Sequence, residues 1–216
     1  MKKRVLALMI VLVFALTLIG CSRSGNIGID GSIPLELQGD RTVTVQSNMN
    51  NKQQTFVFNV LPKTVDELGE MPEAALTTPF MTAALTVAAF CAYNENPSAS
   101  IAMLNVLRGP QPLSAREAQF LRDCLKGKPY KPFSYFDGAT PQNGYTPNKP
   151  YQITVFAQTN SYQGPEHVTL YIRCGGADIT RPVSLRLKPS TGQWFLVGYS
   201  SLLLDMRPPD SMDPWR

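Results

Sequence analysis

The spacing of apolar positions changes character twice along this chain. Thr42 to Gln46 and again Thr55 to Val60 are runs rich in β-branched and aromatic residues, with Asn48-Met49-Asn50-Asn51 between the two. Two such runs around an Asn-rich break predict a β-hairpin. From Thr78 to Leu125 the pattern becomes helical, and its boundaries are marked by capping residues. Thr78 before Pro79 and Asn96 before Pro97 each put a capping oxygen ahead of a proline at the first helical position, where the missing N–H is harmless. Ser114 followed by Glu117 is a capping box. Helices are therefore predicted over 79–93, 97–107 and 115–125, closing near Asn94, Gly109 and Gly127, which tolerate left-handed backbone. The first is apolar nearly all round and should lie beneath other elements as the central core helix.

After Tyr151 the period falls to two. The runs 151–157, 167–173, 183–188 and 194–197 read as strands, separated by Gln163-Gly164-Pro165, Gly175-Gly176 and Pro189-Ser190-Thr191-Gly192. These breaks are short enough for hairpins, so the four strands should form an antiparallel meander. Val183, Leu185 and Leu187 alternate with Ser184, Arg186 and Lys188, which gives the sheet one dry and one wet face. The helices are the apolar surface available to cover the dry one. The expected class is α+β: about three helices packed on an antiparallel sheet made of an N-terminal hairpin and a C-terminal four-stranded meander.

The first twenty-one residues follow a different logic. Lys2, Lys3 and Arg4 precede an apolar run from Val5 to Ile19, and Gly20 leads into Cys21, the order of a secretory signal. The run falls short of the roughly 20 apolar residues a spanning helix needs. Leu18-Ile19-Gly20-Cys21 resembles the lipobox of bacterial lipoproteins, and the resemblance implies that the Cys21 thiol receives a diacylglycerol and becomes the first mature residue. An ordinary signal peptide or an uncleaved anchor helix are the alternatives. The expected organisation is a signal peptide over 1–20, a Gly-rich flexible tether over 21–41, one α+β domain over 42–206 and a loose tail over 207–216. A coil of about 20 residues would span roughly 25 Å.

Removing the signal changes the charge balance. Three of the 20 basic residues leave with it, so 17 remain against 16 acidic ones, and the alkaline character of the whole chain is largely a targeting artefact. A near-neutral chain without a basic stripe offers no electrostatic case for nucleic acid. Cys91, Cys124 and Cys174 remain, an odd number that permits at most one disulfide, and a bridge between Cys91 and Cys124 is conceivable in an exported protein.

Recognisable catalytic chemistry is sparse. Asp66, Glu67, Glu70 and Glu73 share helical spacing but read as a solvated face. His167 is the single histidine, at the start of a strand, and no partner set for a metal or cofactor accompanies it. Cys174 lies at the other end of that strand, near 20 Å away, which rules out a Cys–His pair. Gly198-Tyr199-Ser200-Ser201-Leu202 lacks the second glycine of a nucleophile elbow. What stands out is the Pro- and Gly-rich stretch from Gly127 to Pro150, long for a connection within a domain and studded with Tyr130, Phe133, Tyr135, Phe136 and Tyr145. Those rings either form an exposed binding surface for cell-wall glycan or an envelope protein, or seal the loop onto the core.

Tyr171-Ile172-Arg173-Cys174-Gly175-Gly176-Ala177-Asp178, Arg181-Pro182-Val183, Ser190-Thr191-Gly192-Gln193-Trp194-Phe195 and Tyr135-Phe136-Asp137-Gly138-Ala139-Thr140-Pro141 together resemble a family of bacterial domains of unknown function, over roughly Glu67 to the C-terminus. The resemblance implies no activity. The element order also looks faintly like the cone-shaped fold of nuclear transport factor 2 relatives, an analogy without functional content. The expectation is a non-catalytic, lipid-anchored binding module on the extracytoplasmic face of the cell membrane. The alternative is an envelope hydrolase using carboxylates such as Asp137 or Asp178.

Overall fold

In a computed structural model of the chain, residues 43–47 and 52–215 are described; Cys21, the signal run and the tether lie outside them. Six strands, β1 (Val43–Ser47), β2 (Gln53–Phe58), β3 (Tyr151–Phe156), β4 (His167–Ile172), β5 (Arg181–Lys188) and β6 (Gln193–Gly198), form one antiparallel sheet in sequence order. The hairpin and the meander join into a single sheet, as expected, because β2 pairs along its whole length with β3, from Gln53 opposite Phe156 to Phe58 opposite Tyr151. With the helices described next, the class is α+β.

Phe56, Phe58, Ile153, Val155, Val168, Leu170, Ile172, Val183, Leu185 and Leu196 line the dry face. Against it lies α2 (Pro79–Cys91), in which every residue but Met81 is buried. Its start is set as the sequence predicts: the Thr78 hydroxyl accepts from the Met81 amide at 3.3 Å, and Pro79 occupies the first turn. α3 (Pro97–Arg108), capped by Asn96, packs on α2 and on β6, and α4 (Ala115–Leu125) carries the Ser114–Glu117 capping box. Two short helices, α1 (Val65–Gly69) and α5 (Tyr130–Phe133), complete the set. Burial of α2 on all sides requires its polar groups to be paired internally. Accordingly Thr82 donates to the Trp194 carbonyl at 2.7 Å, Thr86 to the Thr82 carbonyl at 2.7 Å, and Ser100 from α3 to the Ala89 carbonyl at 2.7 Å.

The sheet is splayed at its middle. β3 and β4 share only the pairs Val155–Ile172 and Phe156–Tyr171, and the segment following α5 fills the gap. The Asp137 amide donates to the Gln152 carbonyl at 2.9 Å, and the Gly175 amide to the Ser134 carbonyl at 2.8 Å. Segment 134–139 thereby pairs with backbone groups of β3 and of the turn that follows β4, which would otherwise be left unpaired. Gly175 has no room for a side chain: a Cβ there would lie 2.1 Å from the Ala139 carbonyl oxygen.

One expectation is corrected here. The region from Arg207 is not loose throughout, since the Arg207 amide donates to the Gly176 carbonyl and the Tyr145 hydroxyl to the Arg207 carbonyl, both at 2.9 Å, and Pro209 is buried. Trp215 is exposed. Cys91, Cys124 and Cys174 are all free thiols, so the conceivable Cys91–Cys124 bridge is not formed. Burial pushes the Cys91 thiol well above its ordinary pKa, as suits a small core hydrophobe.

Candidate functional site

The loop aromatics take the sealing role. Tyr135, Phe136 and Tyr145 are buried, and Tyr130 and Phe133 are half-buried. Phe136 meets Phe58 edge-on at 6.5 Å and Tyr151 at 5.5 Å, while Tyr130 stacks on Tyr145 at 5.8 Å. The Tyr135 hydroxyl donates to the Leu202 carbonyl at 2.7 Å inside the core. An open surface made of these five rings is therefore not what the fold presents. Two of them, Tyr135 and Phe136, belong to the plug that closes the splayed sheet, and Tyr145 is buried beside it.

The other sequence candidates are scattered. His167 is exposed and sits opposite Arg186 on the neighbouring strand. Asp137 is exposed on the plug, and Asp178, also exposed, accepts from Arg207 at 3.0 Å.

A different place gathers charge around an apolar floor. α3 ends at Arg108 because Gly109 turns left-handed at φ +57° and returns its amide to the Asn105 carbonyl at 3.0 Å. A Cβ on Gly109 would meet the Phe195 ring at 2.4 Å, so the turn sits directly on β6. Arg108 is nearly buried. Its Nε donates to the Gln111 carbonyl at 2.8 Å, its Nη2 lies 3.1 Å from Glu117, and its guanidinium stands 5.9 Å from the Tyr199 ring centre. Its Nη1 is buried with no acceptor among the described residues. Glu117 is partly desolvated, which pushes its pKa up, but the Ser114 amide and hydroxyl and the Arg108 charge together pull it below the usual carboxylate range. Burial and the neighbouring Glu117 push the Tyr199 phenol up to about 12, against the opposing pull of Arg108.

Arg108 lines a cleft of about 200 Å³ together with Pro110, Gln111, Glu166, Arg186, Leu187, Lys188, Pro189, Phe195 and Val197. Glu166 is positioned by its carbonyl, which accepts from the Leu187 amide at 2.8 Å, and its carboxylate is 3.9 Å from Arg186. Register matters here as well. Leu185 faces Leu196 and Ser184 faces Gly198, so a bulge leaves Val197 without an opposite residue, and Val197 is 39% exposed in the cleft. Sequence reasoning assigned Arg186 and Lys188 to the wet face correctly, but Arg108 carried no signal beyond its place in the last turn of a helix.

The cleft and Val43, the first described residue, lie at opposite ends of the sheet. Val43, Phe58 and Tyr151 share one row, and His167, Arg186 and Phe195 share another. Five steps along β3 to Phe156, opposite Tyr171, and four along β4 to His167 separate them, about 30 Å along the strands at roughly 3.3 Å per residue.

The model of DUF6935, a domain of unknown function, matches residues 60–210. The chain belongs to this family. The DUF6935 span takes in α1 to β6, the plug and the Arg108 cleft, and begins after the β1–β2 hairpin. No curated protein and no solved structure matches the chain.

Proposed function

We propose that this DUF6935 protein is a lipid-anchored, non-catalytic binding module of the cell envelope, held at the extracytoplasmic face of the membrane by a diacylglycerol on Cys21. The signal-like run ending in Leu18-Ile19-Gly20-Cys21 supports the anchor, since a cysteine thiolate is the nucleophile that lipid transfer requires. Two acyl chains suffice for stable attachment at about 0.8 kcal/mol per buried methylene. The observation that carries the binding reading is the Arg108 cleft, in which a nearly buried guanidinium with an unused N–H borders an apolar floor. Val43 begins 22 residues after Cys21, at the end of the sheet away from the cleft. A tether of that length would let the domain present the cleft toward the envelope space, where its partner is an envelope protein or wall component.

The test is mass spectrometry of the natural protein, combined with fractionation of wild type and Cys21→Ser. A diacylglycerol-modified N-terminal Cys21, and release of the variant from the membrane fraction, are expected. An intact Met1, or an unmodified Cys21 in membrane-bound protein, would overturn the anchor.

A further inference from the structure

The geometry points to a specific class of ligand for the Arg108 cleft: a single carboxylate carried beside an apolar side chain, as at the C-terminal residue of a peptide. The inference rests on reading the cleft as the binding site and is independent of the anchor.

Size comes first. About 200 Å³ is below the roughly 300–1,000 Å³ of sites that enclose a drug-sized ligand. It suits one side chain and its adjoining charged group. Charge then selects among small ligands. Arg108, Arg186 and Lys188 line the cleft; Glu117 pairs with Arg108 at 3.1 Å, and Glu166 lies 3.9 Å from Arg186. Three cations against two carboxylates leave one positive charge, which a monoanion balances and a dianionic phosphate overshoots. Arg186 and Lys188 follow one another at alternate positions of β5, so both heads rise from the same wet face.

Apart from Gln111, the remaining wall is apolar. Pro110, Leu187, Pro189, Phe195 and Val197 supply surface for a hydrocarbon group but no hydrogen bonds to specify a polar one. The bulge that frees Val197 from cross-strand pairing puts an aliphatic side chain in this floor. Arg186 is the exposed arm of the site, with 55% of its side chain exposed and a long, 3.9 Å contact to Glu166. A planar guanidinium grips a carboxylate through two parallel N–H donors, better than it does any other small monoanion.

The experiment uses the full chain purified in detergent and ligand-observed NMR with three probes: N-acetyl-leucine, N-acetyl-leucinamide and inorganic phosphate. The acid should bind at least about tenfold more tightly than the amide, and phosphate should not displace it at equal concentration. The double substitution R186Q/K188Q, on exposed side chains, should weaken the acid by about tenfold or more and leave the thermal melt unchanged. Equal binding of acid and amide, no binding of either, displacement by phosphate, or wild-type affinity in the double variant would each overturn the inference. An unlipidated Cys21 would sink the anchor and leave these affinities as they are, so the two failures are distinguishable.

Discussion

Gly175→Ala tests the central structural claim, that residues 134–139 plug the splay between β3 and β4. The added methyl would start 2.1 Å from the Ala139 carbonyl oxygen, against a van der Waals separation above 3 Å, so backbone must shift by about 1 Å. Both sides of the contact are backbone, and no side chain can swing away. Overpacking of this kind costs about 1–3 kcal/mol. The shift would also strain the 2.8 Å bond from the Gly175 amide to the Ser134 carbonyl, worth about 1 kcal/mol more. The expected loss is about 2–4 kcal/mol, or roughly 5–15 °C in Tm for a domain of this size. Urea unfolding followed by circular dichroism measures it, with Gly69→Ala as the control. Gly69 ends α1 with open space around it and no positive φ, so alanine there should be neutral or stabilise by up to about 1 kcal/mol. A Gly175→Ala protein within about 0.5 kcal/mol of wild type would refute the plug.

Other outcomes follow from buried groups. Tyr135→Phe leaves the Leu202 carbonyl without its donor and should destabilise by about 1–2 kcal/mol in the same denaturation assay, without altering binding in the Arg108 cleft. Phe90→Ala, at a fully buried position of α2, should cost about 3–5 kcal/mol, whereas Trp215→Ala should stay within about 0.5 kcal/mol. Glu73 is buried with one carboxylate oxygen unpaired among the described residues, and burial raises its pKa against the pull of its own backbone amide. Its protonated form therefore favours the folded state, so the stability it supports is present at low pH and is lost as pH rises from the ordinary carboxylate value toward the higher folded one. Glu73→Gln should raise the urea midpoint at pH 7, and the gain should vanish below about pH 4; an equal gain at both pH values would contradict the assignment.

Local rules written into neighbouring residues were enough for the elements themselves. Capping oxygens at Thr78, Asn96 and Ser114 set the starts of α2, α3 and α4, and β-branched and aromatic runs, with a two-residue period from Tyr151 on, located the six strands to within a few positions, because both depend on contacts a few residues apart. The all-round apolar character of 79–91 likewise announced the central helix before any partner was known. The sequence also holds the whole argument for Cys21, which lies outside the described residues.

Tertiary structure alone decided what depends on residues far apart in the chain. Composition could not say whether Tyr135, Phe136 and Tyr145 face water or the core. That turned on β3 and β4 pairing at only two positions, a long-range register outcome. Arg108 is likewise unremarkable in sequence; it becomes the heart of a cleft only when Gly109 lands on Phe195 and a bulge 76 to 90 residues later turns Val197 outward beside Arg186. Periodicity reports which side of an element is apolar, but a site arises where sides of different elements meet, and that meeting is set by packing of the whole chain.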